Sequence, residues 1–230
     1  MANKIAKILQ NKKFNPIKLI VFGFQYVGNT YLYVKTFEDY KLQLTIAISE
    51  TTSMSTKMVD LTSNKVYTKH LSDNEIDDYD QQIKKSYEML LMEIIDKCFY
   101  SIYKSPQVQD LIDYVADTYV HNLIFSEHHH YNISFWNRSD NKNIYGLLMT
   151  IPKSRLGLES HEEVDAITLR VSIDSFRFLV NHKNIFPGFP IRGKNWITIV
   201  LDYSISSEQI ISLIDDSYCL ALNKSTILFD

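Results

Sequence analysis

The alternation of apolar and polar residues predicts a sheet followed by a long helix in the first half of the chain. Residues 42, 44, 46 and 48 are apolar and alternate with polar or small residues, which is the period of two of a half-buried strand. A short helix is predicted at the start, and strands are predicted at 17–24, 30–37, 42–49, 54–61 and 65–70. The connections are too short for parallel crossovers, so an antiparallel meander is expected.

The long helix follows the meander. Ser72 or Asp73 is the predicted N-cap, and acidic residues crowd the first turns, where the helix dipole favours them. Apolar residues then recur at helical spacing from Ile76 to Cys98. This stripe predicts an amphipathic helix that packs on the meander.

A second domain is predicted to begin where Ser105 at an N-cap precedes Pro106 at the first helical position. The predicted domains are therefore 1–104 and 105–230. In the second, strands are expected at 132–136, 144–151, 164–171 and 196–201. Asp174 is the expected cap of a short helix, and Ser206 with Gln209 forms a capping box on a helix to about residue 222. The order α-β-β-β-α-β-α gives an α+β fold without the alternation of Rossmann or barrel enzymes.

Charge limits the function classes. The net charge of −3 divides into +2 for residues 1–105 and −5 for residues 106–230. Nucleic-acid binders usually show a basic footprint, so a DNA site in the second half needs a local patch. The sequence has neither an apolar run long enough to span a bilayer nor the features of a secretory signal, which predicts a cytoplasmic protein. Cys98 and Cys219 are interpreted as reduced core thiols.

Three segments resemble one family. They are 141–158, 186–202 and 214–221, and the second reads Phe-Pro-Gly-Phe-Pro-Ile-Arg-Gly-Lys-Asn-Trp over 186–196. Their order and spacing are similar to the MmcQ/YjbR family. The resemblance implies a CyaY-like fold for 105–230 and, as in the longer members, an extra N-terminal domain. It also implies that the protein has no enzymatic activity and that it binds DNA through a "double wing" arrangement. The family name is linked to mitomycin C resistance, which implies drug sequestration as another role.

The second segment departs from the family's usual pattern. The two His residues that most members carry there are replaced by Pro190 and Asn195, and the usual Asn-Lys pair becomes Arg192-Gly193. Positive charge is retained by Arg192 and Lys194. A role that requires those His side chains is therefore not expected of this chain.

The candidate DNA contacts are six cations. Arg192 and Lys194 flank a glycine in a loop that leads into a strand, where they could present two charges to phosphate. The ends of predicted strands supply the others, and together they are expected to form one basic rim: Arg138, Lys142, Lys153, Arg155, Arg192 and Lys194. Six phosphate contacts would give a log–log salt slope of about −5. The alternative is a set of scattered solvated charges, since acidic residues lie close by in sequence.

Metal and catalytic chemistry find little support. His128-His129-His130 is interpreted as a surface loop, because adjacent extended residues point alternately. Asp110, Asp113 and Asp117 form a carboxylate row that is interpreted as a solvated helix face. No nucleophile elbow, phosphate loop, zinc-binding helix or CxxC pair is present. Neither a metal, a cofactor nor enzymatic activity is expected.

Two functions remain open. An enzymatic function is the least supported of the alternatives. The first is DNA binding through the basic rim. The second is a protein-interaction or small-molecule-binding role without nucleic acid. Four aromatic residues could line a pocket for a flat ligand, although core packing explains them equally well: Trp136, Tyr145, Trp196 and Tyr218.

Overall fold

The computed structural model describes residues 2–50, 53–72, 76–126 and 132–222. The chain divides into two compact units, Met1–Ile102 and Tyr103–Asp230, here called the N-terminal and C-terminal units. Both combine helices with antiparallel sheets, which confirms the α+β class. None of the helices in the described ranges combines the length and the hydrophobicity that spanning a bilayer requires.

The N-terminal unit is a five-stranded meander covered by helices. Its elements are α1 (Ala2–Gln10), β1 (Lys12–Phe14), α2 (Pro16–Phe22), β2 (Gln25–Val27), β3 (Thr30–Phe37), β4 (Leu42–Ser49), β5 (Met54–Asp60), β6 (Lys65–Val66), α3 (Asp78–Cys98) and β7 (Phe99–Ser101). The strands of the meander follow one another in the order β2-β3-β4-β5-β6, all antiparallel, as the sequence predicts. A separate two-stranded sheet pairs β1 with β7, which the sequence pattern did not indicate.

The core of this unit lies between the sheet and α3. Leu42, Leu44, Ile46 and Ile48 are all buried on one face of β4, so the period-two prediction is confirmed. From α3, apolar residues at helical spacing complete the core: Ile83, Tyr87, Leu91, Ile94 and Cys98.

Residues 17–24 do not form the predicted strand. They lie in α2 and the turn that follows it, because local capping outweighs the β-rich composition of the segment. The Asn15 side chain accepts a hydrogen bond from the Lys18 backbone N–H at 3.2 Å, and Pro16 occupies the first turn. Gly23 ends the helix in the left-handed conformation, with φ 117°.

Two other predicted boundaries in this unit differ from the structure. The strand predicted at 65–70 ends at Val66, and a 3-10 helix, Lys69–Leu71, follows it. Ser72 does not cap α3, and Asp73 lies outside the described residues. The cap is Asp77, whose side chain accepts from the backbone N–H of Asp80 at 2.8 Å.

His70 is a buried titratable group in this unit. Its side chain is 2% exposed, and its ring packs between Tyr67 and Tyr87. Burial lowers the pKa of His70 to about 4. Lys69, Asp80 and Asp77 form an ion-paired group beside it, in which Lys69 Nζ lies 2.6 Å from Asp80 Oδ2.

We expect the stability of the N-terminal unit to fall as the pH is lowered from about 6.5 to about 4. In that window the unfolded chain binds a proton at residue 70 that the folded chain does not, so the free energy of unfolding decreases, by at most about 3 kcal/mol. Urea unfolding at several pH values, followed by circular dichroism, measures the slope. His70→Phe preserves a ring but cannot titrate, and it should remove this contribution. An unchanged slope in that variant would contradict the assignment.

The C-terminal unit is built on a six-stranded antiparallel sheet. Its elements are α4 (Pro106–Thr118), β8 (Ile124–Phe125), β9 (Ile133–Asn137), β10 (Ile144–Pro152), β11 (Glu163–Arg170), α5 (Ile173–Leu179), β12 (Ile185–Pro187), β13 (Trp196–Val200) and α6 (Ser207–Leu220). The strand order in the sheet is β12-β13-β11-β10-β9-β8. The predicted α-β-β-β-α-β-α order is present, with two additional short edge strands, β8 and β12.

Both faces of this sheet are covered. Helix α6 packs against β10 and β11, and α4 packs against α6. On the other face a second apolar cluster includes Leu147, Met149 and Trp196. Leu156, at the end of a 3-10 helix (Lys153–Leu156), and Ile191, from the loop between β12 and β13, complete it. These connecting segments are therefore part of the core.

The helix caps of the C-terminal unit confirm one sequence prediction and correct others. The capping box of Ser206 and Gln209 is present, although α6 ends at Leu220 and not at 222. The cap of α5 is not Asp174 but Ser172, whose hydroxyl accepts from the backbone N–H of Ser175 at 3.0 Å.

The two cysteines differ in burial. Cys98 is buried, as predicted, but Cys219 is exposed on α6.

Ser105 stands at the N-cap of α4, yet its side chain makes no capping hydrogen bond. The acceptor comes instead from β11. Asp165 Oδ2 accepts from the backbone N–H groups of Lys104 and Ser105 at 2.6 and 2.7 Å, and Asp165 Oδ1 accepts from the Thr150 hydroxyl at 2.7 Å. A buried carboxylate of the sheet therefore holds the start of α4.

Candidate functional site

Arg138 does not lie on a basic rim, because the fold uses it internally. The residue is 7% exposed. Its guanidinium pairs with Asp140, which raises the pKa of Arg138, and it donates to the Tyr218 carbonyl at 3.0 Å. It also lies 4.0 Å from the centre of the Tyr218 ring, a cation–π contact. These contacts attach the β9–β10 turn to α6.

The same turn caps the end of α6. The side-chain amides of Asn141 and Asn143 each donate to the Ala221 carbonyl at 2.9 Å. The last carbonyls of a helix have no partner within the helix, so these amides satisfy groups that would otherwise need water. Much of the polar character of this segment is therefore structural.

The other five cations differ in how available they are. Lys142, Arg155, Arg192 and Lys194 are exposed. Lys153 is half-buried and pairs with Glu162, with 2.6 Å between Nζ and Oε2. An ion pair of this kind neutralises part of the charge that a phosphate would meet.

Strand register separates these cations. Lys153 and Arg155 follow Pro152, at one end of the nine-residue strand β10, whereas Lys142 precedes the other end. At about 3.4 Å per residue the two ends are about 27 Å apart. Arg192 and Lys194 precede Trp196, which pairs with Arg170 near the Lys142 end. Strand register therefore places Lys153 and Arg155 toward one end of the sheet and the other four candidates toward the opposite end. Phosphate binding by these residues stays a prediction.

The aromatic residues considered for a flat-ligand pocket are largely core residues. Trp136, Tyr145 and Trp196 are buried, and the rings of Trp136 and Tyr145 stack on each other. Tyr218 is half-buried and stacks on Tyr119, with 4.0 Å between ring centres. Packing therefore accounts for them.

A tyrosine–carboxylate cluster links α4 to α6 and was not predicted. The hydroxyls of Tyr114 and Tyr119 both donate to Asp215 Oδ1 at 2.6 Å. Burial, with these hydrogen bonds, raises the pKa of both tyrosines. Since both hydroxyls are occupied by one carboxylate, the cluster is a structural link.

Two of the carboxylates considered as metal ligands take part in other hydrogen bonds. Asp113 accepts from the Gln109 side chain and Asp110 from the Ser207 hydroxyl. His128 to His130 lie outside the described residues. Among the residues that are described, no group of three metal-ligating side chains is present.

A groove of about 1050 Å³ lies in the N-terminal unit. It lies between α2, α3 and the side of β3 that faces the helices. Its apolar walls come from all three elements, and its polar residues include three lysines. The lining residues are Lys18, Val21, Phe22, Tyr33, Lys35, Phe37, Ser86, Met89, Leu90, Glu93 and Lys97.

The groove is open, apolar and positively charged. Val21 is 82% exposed and Met89 is 64% exposed, although both are apolar. Glu93, the acidic residue of the lining, is paired with Lys97 at 2.7 Å, and this hydrogen bond raises the pKa of Lys97. Lys18 and Lys35 remain as exposed cations on two different walls. The groove can therefore accept an anionic ligand that also has apolar surface.

The sequence did not predict this groove because it placed α2 in a strand. With residues 17–24 extended, Lys18 and Val21 would not form a wall opposite β3. The signal for the correct structure was present in Asn15-Pro16 and Gly23, a helix start and a helix stop.

Comparison with known proteins shows which family the chain is related to. A span of 112 residues is 30% identical to the uncharacterised protein YyaQ of Bacillus subtilis, covering 95% of that protein and 49% of this chain. The chain belongs to the family of YyaQ. This relationship is consistent with the MmcQ/YjbR resemblance of the sequence. No family model matches the chain.

Solved structures are similar to about half of the chain. One is the crystal structure of a Pseudomonas syringae protein whose sequence is 31% identical to this chain. The matched region covers 49% of this chain and 97% of that protein, with a TM-score of 0.46. Another is a DUF419 domain protein of Deinococcus radiodurans that is 19% identical to this chain. The matched region covers 51% of this chain and 79% of that protein, with a TM-score of 0.39. The match to YyaQ likewise leaves half of this chain without a counterpart in that protein.

Proposed function

We propose that this member of the YyaQ family is a non-enzymatic binding protein, and that the lysine-lined groove of its N-terminal unit binds an acidic, partly apolar segment of another protein. The groove itself carries the proposal. It combines exposed apolar side chains such as Val21 and Met89 with the exposed charges of Lys18 and Lys35. Exposed apolar surface with polar surroundings is typical of interaction sites.

A polypeptide suits the groove better than a small molecule. Small-molecule sites bury most of the ligand surface, and the volumes of such sites are about 300–1,000 Å³. This groove reaches that volume, but its walls stay open to solvent. A segment that continues beyond the groove at both ends would cover the exposed apolar walls.

Nucleic acid is the less favoured ligand. Arg138 is buried, Lys153 is ion-paired, and the remaining candidate cations lie at opposite ends of the sheet. If only the exposed cations at one end of the sheet, Lys142, Arg192 and Lys194, contacted phosphates, the log–log salt slope would be about −3. Such a footprint would give weak binding without a continuous basic surface.

The absence of catalysis belongs to the same proposal. The groove lining contains neither histidine, cysteine nor aspartate, and Glu93 is held by Lys97. The Ser86 hydroxyl donates to the Gln82 carbonyl within its own helix. An activated nucleophile needs a neighbouring base, and this lining does not offer Ser86 one.

The test is an array of short synthetic peptides that have equal apolar content and net charges from strongly negative to strongly positive. We expect binding of the wild-type protein to increase with negative charge. Lys18→Glu with Lys35→Glu should weaken the acidic peptides by about tenfold or more, since each reversed contact is worth a fraction of a kcal/mol to about 1 kcal/mol.

The matched control is Lys57→Glu with Lys65→Glu. It makes the same change of net charge on exposed lysines outside the groove, and it should leave binding unchanged. Labelled duplex DNA is titrated in parallel at low salt. The proposal would be overturned if the Lys18→Glu, Lys35→Glu variant bound the acidic peptides as tightly as the wild type. It would also be overturned by tight DNA binding that is lost with Arg192→Glu and Lys194→Glu.

A further inference from the structure

Strand β3 extends beyond its neighbour on one side. It pairs with β4 along its whole length, from Thr30 to Phe37. On the other side, β2 pairs only with Thr30, Tyr31 and Leu32. In the part of the chain that is described, no strand pairs with residues 33–37 on that side.

The turn between β2 and β3 determines which backbone groups face the vacant side. Gly28 and Asn29 have φ angles of 55° and 62°, as in a two-residue type I′ hairpin. In such a hairpin the flanking residues, Val27 and Thr30, form a hydrogen-bonded pair. Because the pattern repeats every second residue, Val34 and Thr36 also direct their N–H and C=O groups to this side.

The vacant edge and the groove belong to the same stretch of β3. Tyr33, Lys35 and Phe37 alternate with Val34 and Thr36, so their side chains lie on the helix-facing side of the strand, where they line the groove. A chain that paired with Val34 and Thr36 would therefore place every second side chain beside the groove. Val34 is itself 54% exposed, which leaves the edge accessible.

We propose that the groove binds its partner by strand addition: an extended segment of another protein pairs with the free edge of β3 at Val34 and Thr36. This inference rests on the proposed function and specifies its mode. In strand addition the main-chain hydrogen bonds supply affinity, and pockets for alternate side chains supply specificity. Here the alternate positions lie beside Tyr33, Lys35 and Phe37.

The chemistry of those three side chains defines the segment. An acidic residue belongs beside Lys35, and apolar residues two positions away on either side belong beside Tyr33 and Phe37. The segment therefore has the pattern apolar, any residue, acidic, any residue, apolar. Lys18 of α2 adds attraction for a further acidic residue that flanks it.

A second copy of this chain is a poorer occupant. Edge pairing of two copies centred on this stretch would set one Lys35 against the other, and like charges opposite each other are destabilising. A charged residue that points inward from an edge strand is one of the ways in which proteins prevent self-association. The same lysine favours an acidic partner.

The experiment uses a fluorescein-labelled synthetic peptide with valine, threonine, glutamate, threonine and valine in that order. A second peptide carries N-methyl groups on the two threonines, which face Val34 and Thr36 in the proposed complex. N-methylation removes main-chain donors and preserves the side chains, and we expect it to weaken binding by about tenfold or more. Fluorescence anisotropy with the full-length protein measures both affinities.

Val34→Pro tests the protein side of the contact. The Val34 N–H points away from β4, so proline removes an edge donor without removing a hydrogen bond of the β3–β4 ladder. Binding of the unmethylated peptide should fall by a similar factor, whereas Val34→Thr, the control, should bind as wild type. If Val34→Pro does not fold, the comparison of the two peptides still decides.

The outcomes separate this inference from the proposed function. In one outcome, N-methylation of the peptide and Val34→Pro in the protein leave the affinity unchanged, but Lys18→Glu with Lys35→Glu weakens binding. Strand addition is then wrong, and the groove remains the site. If the lysine variant also binds as wild type, both proposals fail. Loss of affinity in all three cases supports both.

Discussion

Replacing Asp165 by alanine is expected to destabilise the C-terminal unit by about 4 kcal/mol, whereas Ser105→Ala should cost less than about 0.5 kcal/mol. The usual rule is the opposite, since removing a serine at an N-cap costs about 1 kcal/mol. The reversal follows from the structure of this cap. The Ser105 side chain makes no capping bond, and the buried carboxylate of Asp165 accepts from Lys104, Ser105 and Thr150.

The loss on removing Asp165 comes from the groups that it leaves behind. Two backbone N–H groups and one hydroxyl would remain without their acceptor, and each such group costs about 1–3 kcal/mol when it stays buried. Asp165→Asn keeps the shape but replaces one acceptor oxygen by a donor, so we expect an intermediate loss.

Urea unfolding followed by tryptophan fluorescence measures these changes in the right place. Both tryptophans of the chain, Trp136 and Trp196, lie in the C-terminal unit and are buried. Equal midpoints for Asp165→Ala and the wild type, or a large loss in Ser105→Ala, would contradict the assignment of the cap.

This cap also shows what local sequence could predict. The position of α4 followed from Ser105-Pro106, because a helix start is a local feature. Its stabilising partner is about sixty residues away in β11, and nothing near Ser105 indicates it. In the same way β4 was predictable from its strict alternation, since its burial pattern repeats every two residues.

The errors have physical causes of the same kind. In α2 a nearly continuous apolar run suggested a buried strand, but capping at Asn15 and Gly23 decided for a helix. Arg138 was interpreted as a phosphate contact because it lies at the end of a predicted strand. Its real partner, Tyr218, is brought to it only by the packing of α6.

The candidate site was the least predictable part. Lys35 is one of several lysines in the first half of the chain, and only the placement of α2 and α3 beside β3 gives it apolar neighbours. The cations of the second half were found by sequence but are separated by the antiparallel register of β10. Charge can be counted along a chain, whereas its clustering depends on the topology.

Gly188→Ala is expected to destabilise the C-terminal unit by about 4 kcal/mol or more, because the loop after β12 leaves no room for a methyl group. An added Cβ would lie 2.6 Å from Trp196 Cβ and would also collide with the Ile191 carbonyl oxygen. Gly188 further donates its backbone N–H to the Trp196 carbonyl at 2.9 Å, so the loop cannot move away without losing that bond.

The surrounding contacts raise the cost of any shift. The residue after Gly188 is fixed to the sheet, since Phe189 N–H donates to the Thr198 hydroxyl at 2.9 Å and the Phe189 carbonyl accepts from the Thr168 hydroxyl at 2.6 Å. Ile191 from the same loop is buried in the core. Moving the loop would therefore disturb hydrogen bonds and core packing together.

Gly157→Ala is the control that separates steric collision from backbone strain. Nothing lies within 4 Å of its added Cβ, but its φ of +81° disfavours a side chain. We expect a loss of about 1–2 kcal/mol there, against the larger loss at Gly188. If tryptophan fluorescence gave equal losses for the two variants, close packing would not be the reason for a glycine at 188. With the expected difference, the Pro187-Gly188 pair of the family segment has a structural role: it lets the loop carrying Arg192 and Lys194 pack against Trp196, whatever those two cations bind.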